Sequence, residues 1–248
     1  MIANGSVDVS DDYWMLENAY AGNFGSKSNL VVGLSYHWLD SEDKSSPLQV
    51  VNFDTEWKTV YGQMAYSITE KLRTTIGAMY NDIRVDKDIS TRIGLTYQFS
   101  DNAGMKIFCA EALRSPFNVE FSFNSPALLG NPDLVPEKST GLDAQLYYAN
   151  ETLRVELAWY QASIDDSIAI ANSTFQNSGE IEFDGYWFEI KYEPLPRLII
   201  EASYSQQNNE NQNGINDTQI VPNEVIRLGA AYQPKDWLSV SIFDTWYG

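Results

Sequence analysis

The sequence predicts an all-β chain, an antiparallel up-and-down meander of about twelve strands. Three observations predict it. Apolar residues recur with a period of two through most of the 248 residues. The segments carrying that period are joined by connections that alternate between short and long. Tyr, Phe and Trp stand at both ends of the apolar faces rather than at random along them.

In chain order, Leu30, Val32, Leu34, Tyr36 and Trp38 share one face, with Val31, Gly33, Ser35 and His37 on the other. Val60, Gly62, Met64, Tyr66 and Ile68 follow, then Leu72, Thr74, Ile76, Ala78 and Tyr80, then Ile93, Leu95, Tyr97 and Phe99. The later segments are Leu142–Tyr148, Leu153–Trp159, Tyr186–Tyr192, Leu198–Tyr204, Ile226–Tyr232 and Leu238–Ile242. Weaker strands near 13–21 and 103–113 complete the set, without an assignable facing. No segment sustains a helical period.

Short connections fall at Thr69–Lys71, Ser100–Gly104, Ala149–Thr152, Glu193–Arg197 and Gln233–Asp236. Longer ones fall at 39–54, 114–138, 165–180 and 206–222, with one of medium length at 82–88. Sorting by length to opposite strand ends is the habit of barrels whose two ends face different compartments. Tyr66, Phe99, Tyr148, Tyr192 and Tyr232 lie on the apolar face beside short connections; Trp38, Tyr80, Trp159 and Tyr204 lie towards the longer ones. Two aromatic belts around an aliphatic band match the interfacial girdles of a membrane barrel. Strands of about ten residues, each rising roughly 3.3 Å and tilted by about 40°, span roughly 25 Å, the height of that band.

The stretch from Ala110 to Thr140 organises the rest. Leu113-Arg114-Ser115-Pro116 ends an alternating segment, since Pro116 cannot donate to a sheet ladder. Gly130-Asn131-Pro132-Asp133 is dense turn chemistry, Pro132 and Pro136 impose extended geometry on their predecessors, and a new strand starts near Glu137-Lys138. The pair L-R-S-P-F-N-V-E-F and G-N-P-D-L-V-P-E-K-S-T, in this order and spacing, resembles the barrel of TonB-dependent outer-membrane receptors. The pattern departs from the family at Leu113, where an aromatic is expected. The resemblance implies an incomplete outer-membrane β-barrel: residues 1–248 as part of a receptor barrel of about 22 strands, with plug domain and terminal strands absent. It implies energised uptake of a scarce nutrient (a ferric siderophore, cobalamin, haem or an oligosaccharide) and no enzymatic step. The partners it implies are outer-membrane lipid and lipopolysaccharide, a small-molecule ligand of unknown identity, and a TonB-type energy-transducing protein engaged through the missing N-terminal part. The motif residues Arg114, Pro116, Gly130, Asn131, Pro132, Pro136 and Glu137 then serve as structural posts or border the ligand path. Two alternatives stand beside this one: a soluble or surface-displayed all-β carbohydrate-binding or adhesin module, and a small independent porin.

Composition agrees with the exclusions. Acidic residues outnumber basic ones by 34 to 16, giving a net charge of −18 that disfavours nucleic acid as a partner. No apolar run is long enough for a transmembrane helix, and Met1-Ile2-Ala3-Asn4-Gly5 shows no leader. A single cysteine, Cys109, allows no internal disulfide and reads as a small buried residue. His37 is the only histidine and falls on a polar face, which gives a lumen-lining residue rather than a catalyst or metal ligand. Asp165-Asp166 with Glu180, Glu182 and Asp184 read as solvated loop acids rather than a glycosidase pair. Asp82, Asp86 and Asp88 lack the glycine of a calcium loop. Gln206 to Gly214, rich in Asn and Gln, reads as a solvated loop tip. No cofactor is expected.

Overall fold

A computed structural model describes residues 9–43, 53–83, 86–125, 127–216 and 222–248. The strands are β1 (Val9–Phe24), β2 (Ser28–Asp43), β3 (Phe53–Ser67), β4 (Leu72–Ile83), β5 (Asp86–Gln98) and β6 (Ala103–Arg114). A five-residue helix α1 (Asn118–Ser122) precedes β7 (Glu137–Ala149) and β8 (Leu153–Asp165). A short hairpin of β9 (Ile168–Ala171) and β10 (Thr174–Asn177) leads to β11 (Ile181–Leu195), β12 (Leu198–Asn211), β13 (Glu224–Lys235) and β14 (Leu238–Tyr247). All but β9 and β10 form one 12-stranded sheet in chain order, antiparallel throughout. Its edges, β1 and β14, do not pair with each other, so the sheet is an open meander.

The register puts the apolar residues on one face across the whole sheet. Leu34, Val60, Tyr80 and Ile89 stand in a cross-strand row and are 53%, 58%, 39% and 57% exposed. One residue along, Ser35, Thr59 and Asn81 form the neighbouring row, each 9% exposed. A flat single-layer sheet would leave both faces equally open. Burial of small polar residues and exposure of large apolar ones therefore mean a sheet curved towards its polar face. This is the inverse of a soluble sandwich, which covers its apolar face with a second sheet. No second layer covers that face among the described residues, and each inner strand is paired on both sides while β1 and β14 remain edges.

Aromatic rings brace the concave face where glycine opens a place for them. Gly185 pairs with Tyr160, and a Cβ added to it would stand 2.6 Å from the phenol oxygen. The ring of Tyr160 lies across that gap and donates its hydroxyl to Gln207 at 2.9 Å, tying β8 to β12 over the intervening strand. The short turns have local causes as well. Asn150 Oδ1 accepts from the amides of Thr152 and Leu153 at 2.9 and 2.8 Å, and Thr69 Oγ1 accepts from Lys71 and Leu72.

Several expectations change in detail. The weak segments are full strands, β1 and β6, and a further short connection joins Phe24 to Ser28. The medium connection at 82–88 mostly dissolves into strand, since β4 reaches Ile83 and β5 starts at Asp86. The Asn/Gln run is not a loop tip: Gln206 to Asn211 belong to β12, and Asn209 is buried. Those amides face β11, where Asp184 accepts from Asn208, so the ladder and cross-strand bonds outweigh low β-propensity. Cys109 is not interior. It is half-buried on the outward face, in the row of Ile93 and Leu142. Most of the 39–54 connection, residues 44–52, lies outside the described residues.

Candidate functional site

The residues singled out in the central stretch come together at the rim that bears the long connections. β6 and β7 pair to their ends, which sets Arg114 directly opposite Glu137 on the concave face. Arg114 Nε donates to Glu137 Oε2 at 2.5 Å, and its Nη1 reaches Glu120 Oε2 at 3.1 Å. Glu120 is 8% exposed, and it also accepts from the Phe117 amide at 2.7 Å, closing the first turn of α1. Glu137 Oε1 accepts from the Ile168 amide at 2.6 Å. One guanidinium thus joins two strand ends, a helix and, through Glu137, the β9–β10 hairpin.

The loop and the hairpin form a single packed unit. Phe121 and Leu134 are its core, with Ile168 and Phe175 of the hairpin against them. Gly130 approaches the backbone of Phe121 to Phe123 so closely that a Cβ would stand 2.6 Å from three of its atoms. Asn131 donates from Nδ2 to the Phe175 carbonyl at 3.0 Å and turns the chain by accepting from the Asp133 amide. Pro132 sits exposed in that turn, whereas Pro116 and Pro136 are buried, Pro136 among the most completely buried side chains. Asn177 of the hairpin exchanges hydrogen bonds with the Val135 backbone. All seven predicted residues therefore belong to this unit or its hinge.

Glu137 stands eleven residues from the girdle residue Tyr148 on β7; at a ~40° tilt this places it ~28 Å along the membrane normal, beyond the apolar band. The hydrogen bond from Arg114 holds its carboxyl below the usual range, the Ile168 amide adds to this, and partial burial opposes it. The Arg114 guanidinium is held still more firmly in its charged form, first by Glu137 and also by Glu120.

Beneath α1 lies a half-open cleft of about 630 Å³ on the concave face, walled by Leu39, Trp57, Met79 and Phe117 with Thr59 and Asn81 between them. The loop spans it: Asn118 Nδ2 reaches Ser41 Oγ of β2 at 3.4 Å. His37 stacks on Trp57 with ring centroids 4.6 Å apart and planes 11° apart, and accepts from or donates to Tyr13 at 2.8 Å. His37 thus faces the lumen side as the period predicts, and its partners are aromatic. Sequence reasoning did not find Glu120, Trp57 or the hairpin core. The only available signal for Glu120 was its place three residues after Phe117, and Phe117 offers no capping oxygen to mark the helix start. Among the described residues no cluster of three or more His, Cys, Asp or Glu is arranged to hold a metal ion.

Comparison with known proteins bears on the same fold. The siderophore receptor PirA from Pseudomonas aeruginosa superimposes with a TM-score of 0.85 at 14% identity, over 97% of this chain and 46% of its own. The copper transporter OprC gives 0.81 at 16% identity, over 96% and 44%. The FrpB iron transporter from Neisseria meningitidis gives 0.73 at 12%, over 92% and 41%. This chain therefore spans less than half the length of these structures. No curated protein matches it. The description TonB-dependent receptor-like β-barrel covers residues 3–248, and the chain belongs to that family.

Proposed function

We propose that this chain forms part of the wall and outer loops of an outer-membrane receptor that takes up a scarce small-molecule nutrient with energy supplied from the inner membrane. The observation that carries the reading is the inverted sheet: an apolar, aromatic-bordered face directed outwards, and a polar concave face with a folded loop laid across it. The family is one of outer-membrane transport receptors rather than enzymes. In this reading the barrel contacts lipid and lipopolysaccharide, while the plug domain, the remaining strands and the contact with the TonB-type protein lie outside these 248 residues. Arg114, Glu137 and the motif around Gly130 hold the outer loop in place above the ligand path. The three similar structures carry siderophores, copper and iron by their descriptions, which supports a metal chelate as the cargo class.

The test is uptake. Cells lacking the receptor should lose energy-dependent accumulation of a labelled metal chelate and regain it from the intact gene. Accumulation that survives collapse of the inner-membrane proton gradient would point to passive diffusion and sink the reading.

A further inference from the structure

The outward face carries a groove that no side chain fills. On the concave face the rings of Tyr61, Tyr147, Tyr160 and Phe243 lie where a side chain on Gly33, Gly104, Gly185 or Gly229 would stand. Gly62 of β3 faces outwards, level with Val32 and Ala78, and a Cβ added to it would meet nothing nearer than Val32 at 3.5 Å. Val60 and Tyr80 border Gly62 and Ala78 on one side, Met64 and Ile76 on the other, and all four are at least 39% exposed. The opening is an apolar groove of about 530 Å³ that reaches Leu34 and Tyr20 on one flank and Ile89 on the other. Ala78 lies two residues from Tyr80, the aromatic border at the long-connection end, and Gly62 lies four from Tyr66 at the short-turn end. At a ~40° tilt these separations are ~5 Å and ~10 Å along the membrane normal. On the same face, two residues past Val60 and Ile89, Lys58 and Lys87 stand in one cross-strand row with Asp82 between them. Lys58 is 3.0 Å from Glu56 and Lys87 3.2 Å from Asp82, and with 54% and 66% of their side chains exposed each ammonium keeps further donors for a second acceptor.

We infer that the groove seats one hydrocarbon chain of lipid A, the phosphorylated glycolipid that anchors lipopolysaccharide in the outer leaflet, with a phosphate at Lys58 and Lys87. The inference rests on the receptor reading above and deepens it by giving the lipid contact a place. A chain in the groove lies against the backbone at Gly62 and touches side chains on both flanks. It therefore gains more dispersion contact than on a flat stretch of the same face. The groove is nearer the Tyr80 border than the Tyr66 border, and in that reading this is the outer leaflet, where lipid A stands. Four residues, roughly 13 Å of strand, separate its floor from the lysine row, so one molecule spans both. Glu56 and Asp82 offset much of the lysines' charge, so the groove decides most of the affinity and the headgroup contact adds to it.

The experiment uses the intact receptor, extracted from outer membranes in mild detergent and washed, with bound lipid A and phospholipid counted by native mass spectrometry. The wild type should retain lipid A. Gly62→Leu and Ala78→Phe, which fill the groove, should each lower the retained fraction by about fivefold or more, and Lys58→Gln with Lys87→Gln by about twofold. Val240→Phe, which enlarges an exposed outward residue of β14 away from the groove, should leave it unchanged. Heat-modifiable mobility checks that each variant is folded. Equal lipid A retention in filled and wild-type receptors overturns the inference, as does retention of phospholipid in its place. A wild-type dimer that the filled variants lose assigns the groove to a second copy and overturns it as well. In each of those cases recovery in the outer-membrane fraction leaves the receptor reading standing, whereas a protein absent from that fraction overturns both.

Discussion

Arg114 and Glu137 face each other at the last pair of the β6–β7 ladder, joined by a 2.5 Å hydrogen bond from Nε to Oε2. The pair is the hinge on which the 115–136 loop turns back over the concave face. The carboxylate is not saturated by its arginine. Its second oxygen takes the Ile168 amide, so the same residue ties a second loop to the first.

Removing either partner should therefore loosen two loops rather than one. In a double-mutant cycle, Arg114→Ala and Glu137→Ala should show coupling of roughly 1 kcal/mol, reduced from a buried pair's value because about a third of the arginine side chain remains in water. The readout is thermal unfolding of the intact receptor. Strict additivity would mean that the two residues act separately. Arg114→Ala should be the more damaging single change, because it leaves the largely buried carboxylates of Glu120 and Glu137 without their cation.

The same carboxylate predicts a pH response. A group whose pKa is lower folded than unfolded stabilises the folded form above its unfolded value of about 4.3 and loses that contribution as pH falls through the folded one. Glu137 is shifted in this direction by Arg114 and the Ile168 amide. Spin labels at Asp133 and Ile170, both exposed, report the distance between loop and hairpin. The distribution should be narrow at pH 6 and broaden towards pH 3. Glu137→Gln should already be broad at pH 6. A wild-type distribution unchanged to pH 3 would refute the assignment.

Core packing in the loop unit gives an independent measure. Leu134 is 2% exposed against Phe121, Ile168 and Phe175. Leu134→Ala should cost about 2–4 kcal/mol of local stability. Because the barrel strands do not depend on this core, the cost should appear as protease cleavage within 115–136 and 165–180 while the barrel remains heat-resistant. Loss of the whole barrel would show that the loop unit is needed for assembly.

What was legible in the sequence follows from these physics. Strand periods were plain because the sheet turns one apolar face outwards and one polar face inwards, so every second residue is under the same constraint. The loop interior was not legible for the opposite reason. α1 is a single turn whose N-cap position is Phe117 rather than Ser, Thr, Asp or Asn. The β9–β10 hairpin has four-residue strands, and its turn residues Asn172 and Ser173, at φ 51° and 60°, lack the glycine that usually marks such a turn. The Asn/Gln run was misread because composition suggests a loop, whereas pairing with β11 and β13 makes most of it strand. The seven motif residues lie in one loop unit or its hinge, but Glu120, which shares their arginine, could be found only once the chain was folded.

The Gly185–Tyr160 contact offers a test of how the wall is braced. Gly185→Val brings the new Cβ to 2.5 Å from the Gln206 carbonyl oxygen and 2.6 Å from the Tyr160 phenol oxygen, so both the ladder and the ring must give. The ring must leave, and its hydrogen bond to Gln207 goes with it. The expected cost is about 1–3 kcal/mol, seen as a lower unfolding temperature of the intact receptor. Tyr160→Phe, which keeps the ring and deletes only the hydroxyl, should cost about 1 kcal/mol. Equal losses in the two variants would mean that the hydroxyl, not the ring's fit over glycine, carries the effect.

Orientation in the membrane is the last consequence and is open to a direct test. The turns after β1, β3, β5, β7, β11 and β13 are short, whereas the loop–hairpin unit and the 212–223 connection lie at the other end. Tyr148, Tyr192 and Tyr232 border the short-turn end of the apolar face, and Trp159 and Tyr204 border the other. In the proposed reading the long connections are the ones outside the cell. In a Cys109→Ser background of the intact receptor, a cysteine at Asn213 should react with a membrane-impermeant maleimide on whole cells. The matching site at the short-turn end is Glu151, which is exposed, rather than Asn150, whose side chain closes its turn. A cysteine at Glu151 should react only after the outer membrane is opened. The reverse pattern would invert the orientation. Equal reaction at both sites on intact cells would mean that no bilayer separates the two ends of these strands.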